Sequence, residues 1–482
     1  MALLIGEIFR RNAEAVPGAT AASLGDARLS HAELNAAGNR LAAFLGERGV
    51  GRGDRVVSWA DTALEVLPLF VALAKLGAVF APLNARLGRE EAAAIVRLAR
   101  PRLLVADAER AGVADLVAKD AGVPEALGLD AGAGTGDPGE PASSDLDERD
   151  PHVIFFTSGS TGRPKGVVLS HRASWLRSFQ GVFRDEPERS VCMFPLFHMA
   201  AFSLALAAWQ TRGEIVLVES ATAEALLAAV ERRRGNRLYC IPAVWARILA
   251  TDPERWETSS LREVDTGTSA TPIELIRALK ERFPGTATRV YYGSTEAGSG
   301  TTLPDSDVLR KPGSVGLPSP GVDLALRDGE ICLRSDYLMD GYFDDPAATA
   351  EVLREGWLHT GDLGALDDEG YLSVVGRRKE LIRTGGESVA PAEVESVLAT
   401  HPGVAEVAVV GVPDAEWGEV VCAFVVPKGD ACPSLEELQG HCEARLAGFK
   451  KPRRLEPIDA LPRTAATGQV QRRLLLERLA IR

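Results

Sequence analysis

The sequence predicts an α/β protein with a large N-terminal domain, made of two αβ sandwich halves plus a small β region, and a small mobile α+β C-terminal domain. Three observations carry this reading. Up to about residue 310, short apolar runs of strand length alternate with stretches of helical periodicity, the pattern of a mostly parallel, covered sheet. From Lys311 onward the pattern changes to short strands and turns, and after Arg377 it changes again, to a compact mixture of helices and strands of about 100 residues. The chain has 482 residues, too many for one core. The division is expected as 1–377 and 378–482.

Composition narrows the class. Hydrophobic residues make up 46% and charged residues 25%, the balance of a globular protein. A formal charge of −13 opposes a nucleic-acid partner. Cys192, Cys240, Cys332, Cys422, Cys432 and Cys442 are scattered without a CxxC pair, which fits reduced thiols better than disulfides or zinc. The N-terminus has no basic n-region, and no run reaches about 18 apolar residues. No membrane partner and a cytoplasmic location are expected.

Taken in order, residues 30–49 show helical spacing behind Ser30 as N-cap, with Leu34, Leu41 and Leu45 on one face. Strands are expected at 56–59, 79–83 and 103–105, with helices at 63–76 and 89–98 between them. Residues 120–150 turn acidic and rich in Gly and Ala, which reads as a surface linker without chemistry. A second βα region follows, with helices at 171–179, 223–233, 243–249 and 272–283 and strands at 191–195, 215–219, 238–241, 263–266 and 289–292. Strands at 322–326, 330–334 and 371–375 make the small β region, and 392–400, 404–411, 420–427 and 434–447 the last domain.

Two stretches carry recognisable chemistry. Residues 157–166 read TSGSTGRPKG between the apolar runs 153–156 and 166–169, so they form a loop joining two strands. Gly159 and Gly162 let the backbone turn, while Thr157, Ser158, Ser160 and Thr161 offer hydroxyls and Lys165 a positive charge to phosphate oxygens. It is no Walker loop, because no GK[ST] opens a helix. Tyr291 to Glu296 read YYGSTE at a strand end, where open α/β sheets bind ligands. There a ring can stack on a base, a hydroxyl can hold a phosphate and a carboxylate can hold Mg²⁺.

In that order the motifs resemble those of the adenylate-forming superfamily, which comprises acyl- and aryl-CoA synthetases, carrier-protein adenylation domains and luciferases. The resemblance spans essentially the whole chain and is nearest to free-standing acyl- or aryl-CoA ligases. It implies activation of an aryl or medium acyl acid by ATP and Mg²⁺ as an acyl-adenylate, then transfer to CoA, with a carrier protein as the other acceptor and a homodimer as an expected assembly. By resemblance Tyr292 with Gly293 meets adenine, Thr295 phosphate and Glu296 the metal. Asp362, in the run GWLHTGD, takes the ribose with help from Arg377, and His359 is structural. His198, in FPLFHM, gates the acyl pocket, with Gly267, Thr268, Ser269 and Ala297 lining it. The hydroxyls of 266–271 replace the usual Gly and Ala, a hint of a polar or unusual substrate. Lys379 falls at the hinge, and Gly385-Gly386-Glu387 match the strand that enters the site for thioester formation.

One departure stands out. Family members end with a Pro-Arg-x-x-x-Gly-Lys turn whose lysine reaches the carboxylate and α-phosphate, whereas here Gln469 follows Gly468 and the turn is one residue longer. Glutamine keeps N–H donors and loses the charge. Gln469 could be an engineered substitution; the native enzyme could be slow or use Arg463 or Arg472 as the cation; or the activated group could be other than an ordinary carboxylate. Activation of nitrite to diazotise an aryl amine is the alternative reaction, and a catalytically weakened nucleotide-binding homologue the alternative class.

Overall fold

The structure is a computed structural model that describes residues 2–141, 145–158, 164–179, 186–429, 431–443, 445–464 and 468–480. It divides into two compact units, one of Met1–Pro312, Pro318–Asp323 and Arg334–Leu358, the other of Gly313–Leu317, Leu324–Leu333 and His359–Arg482. These units are defined by packing. The expected division at 377/378 concerns which residues turn, a separate property.

The first unit holds two sheets. In one, Gly341–Tyr342, Pro164–Ser170, Pro151–Ser158, Val79–Leu83, Arg55–Trp59, Leu103–Ala106 and Ala126–Gly128 lie side by side. In the other the order runs Gly298–Leu303, Ala287–Ser294, Glu263–Gly267, Arg237–Tyr239, Arg189–Cys192, Glu214–Leu217, Thr20–Leu24, Ala27–Ser30. The sequence places the phosphate-loop hairpin with the second half of the unit, and the structure corrects this. Strand Pro151–Ser158 pairs in parallel with Val79–Leu83 at Phe80↔Val153, while the N-terminal strand Thr20–Leu24 pairs with Glu214–Leu217. Strands apolar on both faces carry no label for their sheet, so chain order alone assigned them wrongly.

The sheets meet over aromatic helices. Phe70, on helix Val66–Leu76, stacks on Phe202 of helix Met199–Gln210 at 4.5 Å and touches Phe80 edge-on at 5.6 Å. Phe9, on helix Ile5–Ala15, meets Trp209 at 4.9 Å. Helix His31–Glu47 starts where expected: the Ser30 hydroxyl accepts from Glu33 N at 3.2 Å and the Glu33 carboxylate accepts from Ser30 N at 2.8 Å. The helix expected over 63–76 begins at Val66, because Pro68 has no N–H to donate and belongs in the first turn.

The acidic segment after Asp120 is a strap. Ala126–Gly128 pairs with Leu103–Ala106. Further on, Glu140 accepts from buried Lys75 at 2.6 Å, and Lys75 also donates to Asn35 and Asn39. A lysine inside an apolar helix needs acceptors at hand, and the strap delivers one.

In the second unit, strands Val404–Asp414 and Gly418–Pro427 pair along their length. Val409, Val421, Ala423 and Val425 face one apolar cluster, Ala408, Val410, Cys422 and Phe424 the other. The alternation gives a sheet buried on both faces, which is why both strands read as nearly continuous apolar runs. Strands Ile382–Thr384 and Glu387–Val389 form a hairpin whose two turn residues, Gly385 and Gly386, sit at φ 59° and 83°, where glycine is at ease. Among the described residues no helix is long and apolar enough to cross a membrane.

Two histidines lie at the base of the phosphate-loop hairpin. His152 and His171 approach ring to ring at 4.8 Å; His152 Nδ1 lies 3.1 Å from Ser174 Oγ, and His171 Nδ1 accepts from Ile5 N at 3.3 Å. Burial pushes His171 down to about 4 and His152 well below its usual value. Both are therefore neutral in the folded chain near pH 6, whereas the unfolded chain protonates them near 6.5. The unfolded state thus gains protons first as pH falls, so this stability is complete above about pH 6.5 and is lost toward pH 4. Urea unfolding between pH 7.5 and 4.5 should show a loss on the order of 3 kcal/mol from His171 alone. His171→Phe should flatten that slope, and an unchanged slope refutes the assignment.

Candidate active site

Strands Pro151–Ser158 and Pro164–Ser170 pair antiparallel, with Thr157 opposite Lys165. Gly159, Ser160, Thr161 and Gly162 lie outside the described residues, as does the Ser158 side chain. Thr157 is half-buried at the strand end. Lys165 places its ammonium 4.5 Å from the ring centroid of Tyr342. Tyr342 is fastened to the same hairpin: it pairs with Val167, and the next residue, Phe343, donates its N–H to Gly166 O at 2.7 Å. Its hydroxyl donates to Glu296 Oε1 at 2.9 Å, and burial together with that carboxylate holds the phenol above its usual range.

Glu296 sits in the turn between strands Ala287–Ser294 and Gly298–Leu303. Ala297 is buried there and donates its N–H to Ser294 Oγ at 3.1 Å. Gly293 admits no side chain, since a Cβ would lie 2.0 Å from Gly298 O. The register shifts between Tyr292 and Gly293, and such a bulge re-aims the strand end. Tyr292 is half-buried beside it.

Arg177, on helix His171–Ser178, holds this turn. Its guanidinium donates to Thr295 O at 2.7 Å, Glu296 O at 2.8 Å and Tyr337 O at 2.7 Å. Glu296 O also accepts from Met339 N at 2.8 Å. Burial lowers the guanidinium to about 10, so it stays charged at neutral pH. Among the described residues neither Lys165 nor Glu296 makes an ion pair. Sequence reasoning missed both Arg177 and Tyr342; each lies outside the two motifs it relied on.

His198 caps helix Met199–Gln210, its Nδ1 accepting from Ala200 N at 3.2 Å. Burial pushes it down to about 4, so the ring is neutral. With Nδ1 an acceptor, the proton resides on Nε2, which can donate to an oxygen. His198 stacks on Phe194 at 5.3 Å, Phe194 meets Tyr239 at 5.5 Å, and Tyr239 meets Tyr291 at 6.0 Å. Gly267 lies against this wall, for a Cβ there would be 2.6 Å from the Tyr239 hydroxyl. Thr268 is left-handed at φ 65°, a strained place for a β-branched residue, and Ser269 is exposed.

The remaining candidates belong to the second unit. Asp362 and Arg377 face each other across antiparallel strands and form an ion pair at 3.0 Å. Glu330 builds the turn that carries Asp362, accepting from Gly361 N at 2.9 Å, Arg378 Nη1 at 3.1 Å and His359 Nδ1 at 3.1 Å. Cys332, Glu330 and His359 lie close enough together to ligate a metal, yet Glu330 is already committed to Arg378 and Gly361, so His359 reads as structural. Gln469 is anchored through its backbone: its N–H donates to Thr464 Oγ1 at 3.1 Å, and its carbonyl accepts from Thr464 N at 2.8 Å. Residues 465–467 lie outside the described residues. The two arginines weighed as substitutes for lysine are engaged, Arg463 with Glu406 and Gly468 O, and Arg472 with Glu380 and Glu395. Each pairs inside its own unit because acids flank it there, so neither is a spare cation.

The comparisons agree with this geometry. The family model for AMP-binding enzymes matches residues 9–343, and that for the AMP-binding enzyme C-terminal domain matches 393–467. The chain is 37% identical to a feruloyl-CoA synthase of Amycolatopsis over 96% of this chain and 97% of that one. It is 33% identical to the long-chain-fatty-acid–CoA ligase FadD13 of Mycobacterium tuberculosis over 94% and 93%. Among solved structures, o-succinylbenzoate CoA synthetase from Bacillus subtilis, held with its acyl-adenylate intermediate, superposes with a TM-score of 0.87 at 28% identity, over 97% of each chain. With both family models matched and relatives aligned over nearly the whole chain, the chain belongs to the AMP-binding enzyme family, the adenylate-forming ligases that use ATP, Mg²⁺ and CoA to turn a carboxylic acid into its thioester.

Proposed function

We propose that the acid is an aryl or medium acyl carboxylate lying along the wall of His198, Phe194 and Tyr239. The observation that carries this reading is that run of rings, ending in a neutral imidazole with its proton on Nε2. The relatives' names span an aryl acid and a long-chain acid, and the run of rings supports the aryl or medium acyl reading. Thr268 and Ser269 add hydroxyls, which suits a polar substituent.

In the first step a carboxylate oxygen attacks the α-phosphorus of ATP, and the bond to the β-phosphate breaks, releasing pyrophosphate. In the second, the CoA sulfur attacks the acyl carbon, AMP leaves, and the thiol proton goes to solvent. The donor set fits the metal: Glu296 has a carboxylate oxygen without a protein partner among the described residues, and acid oxygens are the ligands Mg²⁺ prefers. When bound there, Mg²⁺ would neutralise charge on the phosphate oxygens. Lys165 and the hydroxyls of residues 157–161 hold the phosphates, and Thr295 adds a donor. Tyr292 stacks on adenine beside Gly293, and Asp362 accepts from the ribose with Arg377 beside it. His198 orients the carboxylate. Residues 378–482 turn about Lys379 between the two steps, bringing in the hairpin of Gly385 and Gly386. CoA is the acceptor rather than a carrier protein, the site of action is the cytoplasm, and a homodimer is the assembly to look for.

The nitrite reading, which rested on the hydroxyl-rich 266–271 loop and on Gln469, loses ground, since the relatives are CoA ligases. Gln469→Lys tests what the missing charge costs. Restoring one preorganised cation should speed single-turnover adenylation by roughly 10- to 100-fold, and an unchanged rate refutes Gln469 as the limiting feature. AMP release should require an acid and yield thioester only with CoA; release with nitrite instead would revive the alternative. Arg177→Met removes one donor from each of three carbonyls, of which Glu296 O keeps Met339 N, so melting should fall by several degrees and AMP formation by about 10- to 100-fold. A variant as active and as stable as the wild type would show that Arg177 does not position the turn.

A further inference from the structure

We propose that Tyr342 is a spacer that keeps the phosphate-binding cation Lys165 and the metal-binding carboxylate Glu296 from neutralising each other. It is a positioning residue with two faces. Its ring carries the Lys165 ammonium at 4.5 Å, while its hydroxyl donates to Glu296 Oε1 at 2.9 Å. The inference rests on the assignment of those two residues to phosphate and metal.

Three observations converge on it. First, an ammonium and a carboxylate of opposite charge reach the same phenol, yet among the described residues neither is in an ion pair. Second, the phenol cannot drift. Tyr342 N donates to Thr349 Oγ1 at 2.9 Å, strand Gly341–Tyr342 pairs with Val168 and Val167, and Phe343 N holds Gly166 O at 2.7 Å. Third, Arg177, which holds the same turn, spends its donors on the carbonyls of Thr295, Glu296 and Tyr337 and makes no ion pair with the carboxylate among the described residues. A ring face attracts a cation without cancelling its charge, and a phenol hydroxyl orients a carboxylate without neutralising it. Both groups therefore stay available to ligands.

The two faces separate by mutation. Calorimetric titration of the full chain with ATP, in EDTA and again across a Mg²⁺ series, reads them without acid or CoA. Tyr342→Phe keeps the ring and removes the hydroxyl. It should leave metal-free ATP affinity within about 2-fold and raise the Mg²⁺ concentration for half-maximal effect by about 10-fold, the usual cost of losing a residue that orients a ligand. Tyr342→Leu removes the spacer, so Lys165 should be captured by Glu296 and metal-free ATP affinity should fall by about 10-fold. The double variant Tyr342→Leu/Glu296→Gln should recover most of that affinity, since the captor is gone, and circular dichroism confirms that each variant folds. Tyr342→Phe matching the wild type in its Mg²⁺ response, or a double variant no better than Tyr342→Leu, overturns the spacer. Lys165→Met and Glu296→Gln separate the two levels. If neither changes ATP or Mg²⁺ binding, the site assignment falls and the spacer with it; if both do and the Tyr342 variants do not, the spacer alone falls.

Discussion

A ligase of this kind has to keep opposite charges uncommitted within one site, and that constraint organises the first unit. Lys165 and Glu296 have no ion-pair partner among the described residues, and the side chains near them are arranged to leave it so. Arg177 lies against the turn that carries the acid, and its guanidinium faces three backbone carbonyls. A guanidinium that donates to neutral acceptors fixes a backbone without consuming a carboxylate. The cost is desolvation of a charge, visible in the lowering of Arg177 to about 10, and it is offset by charge-assisted hydrogen bonds. The turn bearing Thr295 and Glu296 is thereby held by its backbone, without an ion pair at the Glu296 carboxylate among the described residues.

The exchange of segments between the sheets makes this arrangement reachable. The phosphate hairpin lies in the same sheet as Val79–Leu83, while the Thr-Glu turn ends a strand of the other sheet. Tyr342 belongs to the hairpin's sheet and Arg177 to the helix that follows the hairpin, and both reach Glu296. The site is thus built at a seam, held from both sides. At the base of the same hairpin sits the neutral pair His152 and His171, tied to the N-terminal helix through Ile5 N. Acid would loosen the hairpin at its root before it touched the lysine.

Much of the fold was legible because its signals are local. Ser30 and Glu33 announce a capping box, and the structure shows both hydrogen bonds. Nearly continuous apolar runs at 404–411 and 420–427 give strands. What failed depends on distant partners. The stretch after Asp120 looks like a linker because it is acidic and poor in large apolar residues, yet Lys75 needs Glu140. The usable signal was that lone lysine within VLPLFVALAKL, a charge that must find an acceptor. The helix after His198 was missed because 191–199 reads as one apolar run, and no periodicity marks where the strand stops. In the site, motif residues were legible as types, whereas Arg177 and Tyr342 were not, because a side chain that serves by touching carbonyls or a ring leaves no motif of its own.

Gln469 is the case where sequence and structure constrain each other most. The turn that carries it is closed by paired backbone bonds to Thr464 and by Arg463 donating to Gly468 O, so its geometry is anchored even though lysine is absent. An anchored turn without its charge differs from a decayed one, where the anchoring contacts would have no reason to persist. Arg463 and Arg472, the two arginines weighed as substitutes, each face acids of the second unit. Among the described residues of the first unit, Lys165 is a cation without an ion pair, which makes it a candidate source of positive charge. That places more weight on keeping Lys165 unpaired, the condition that Tyr342 and Arg177 together maintain.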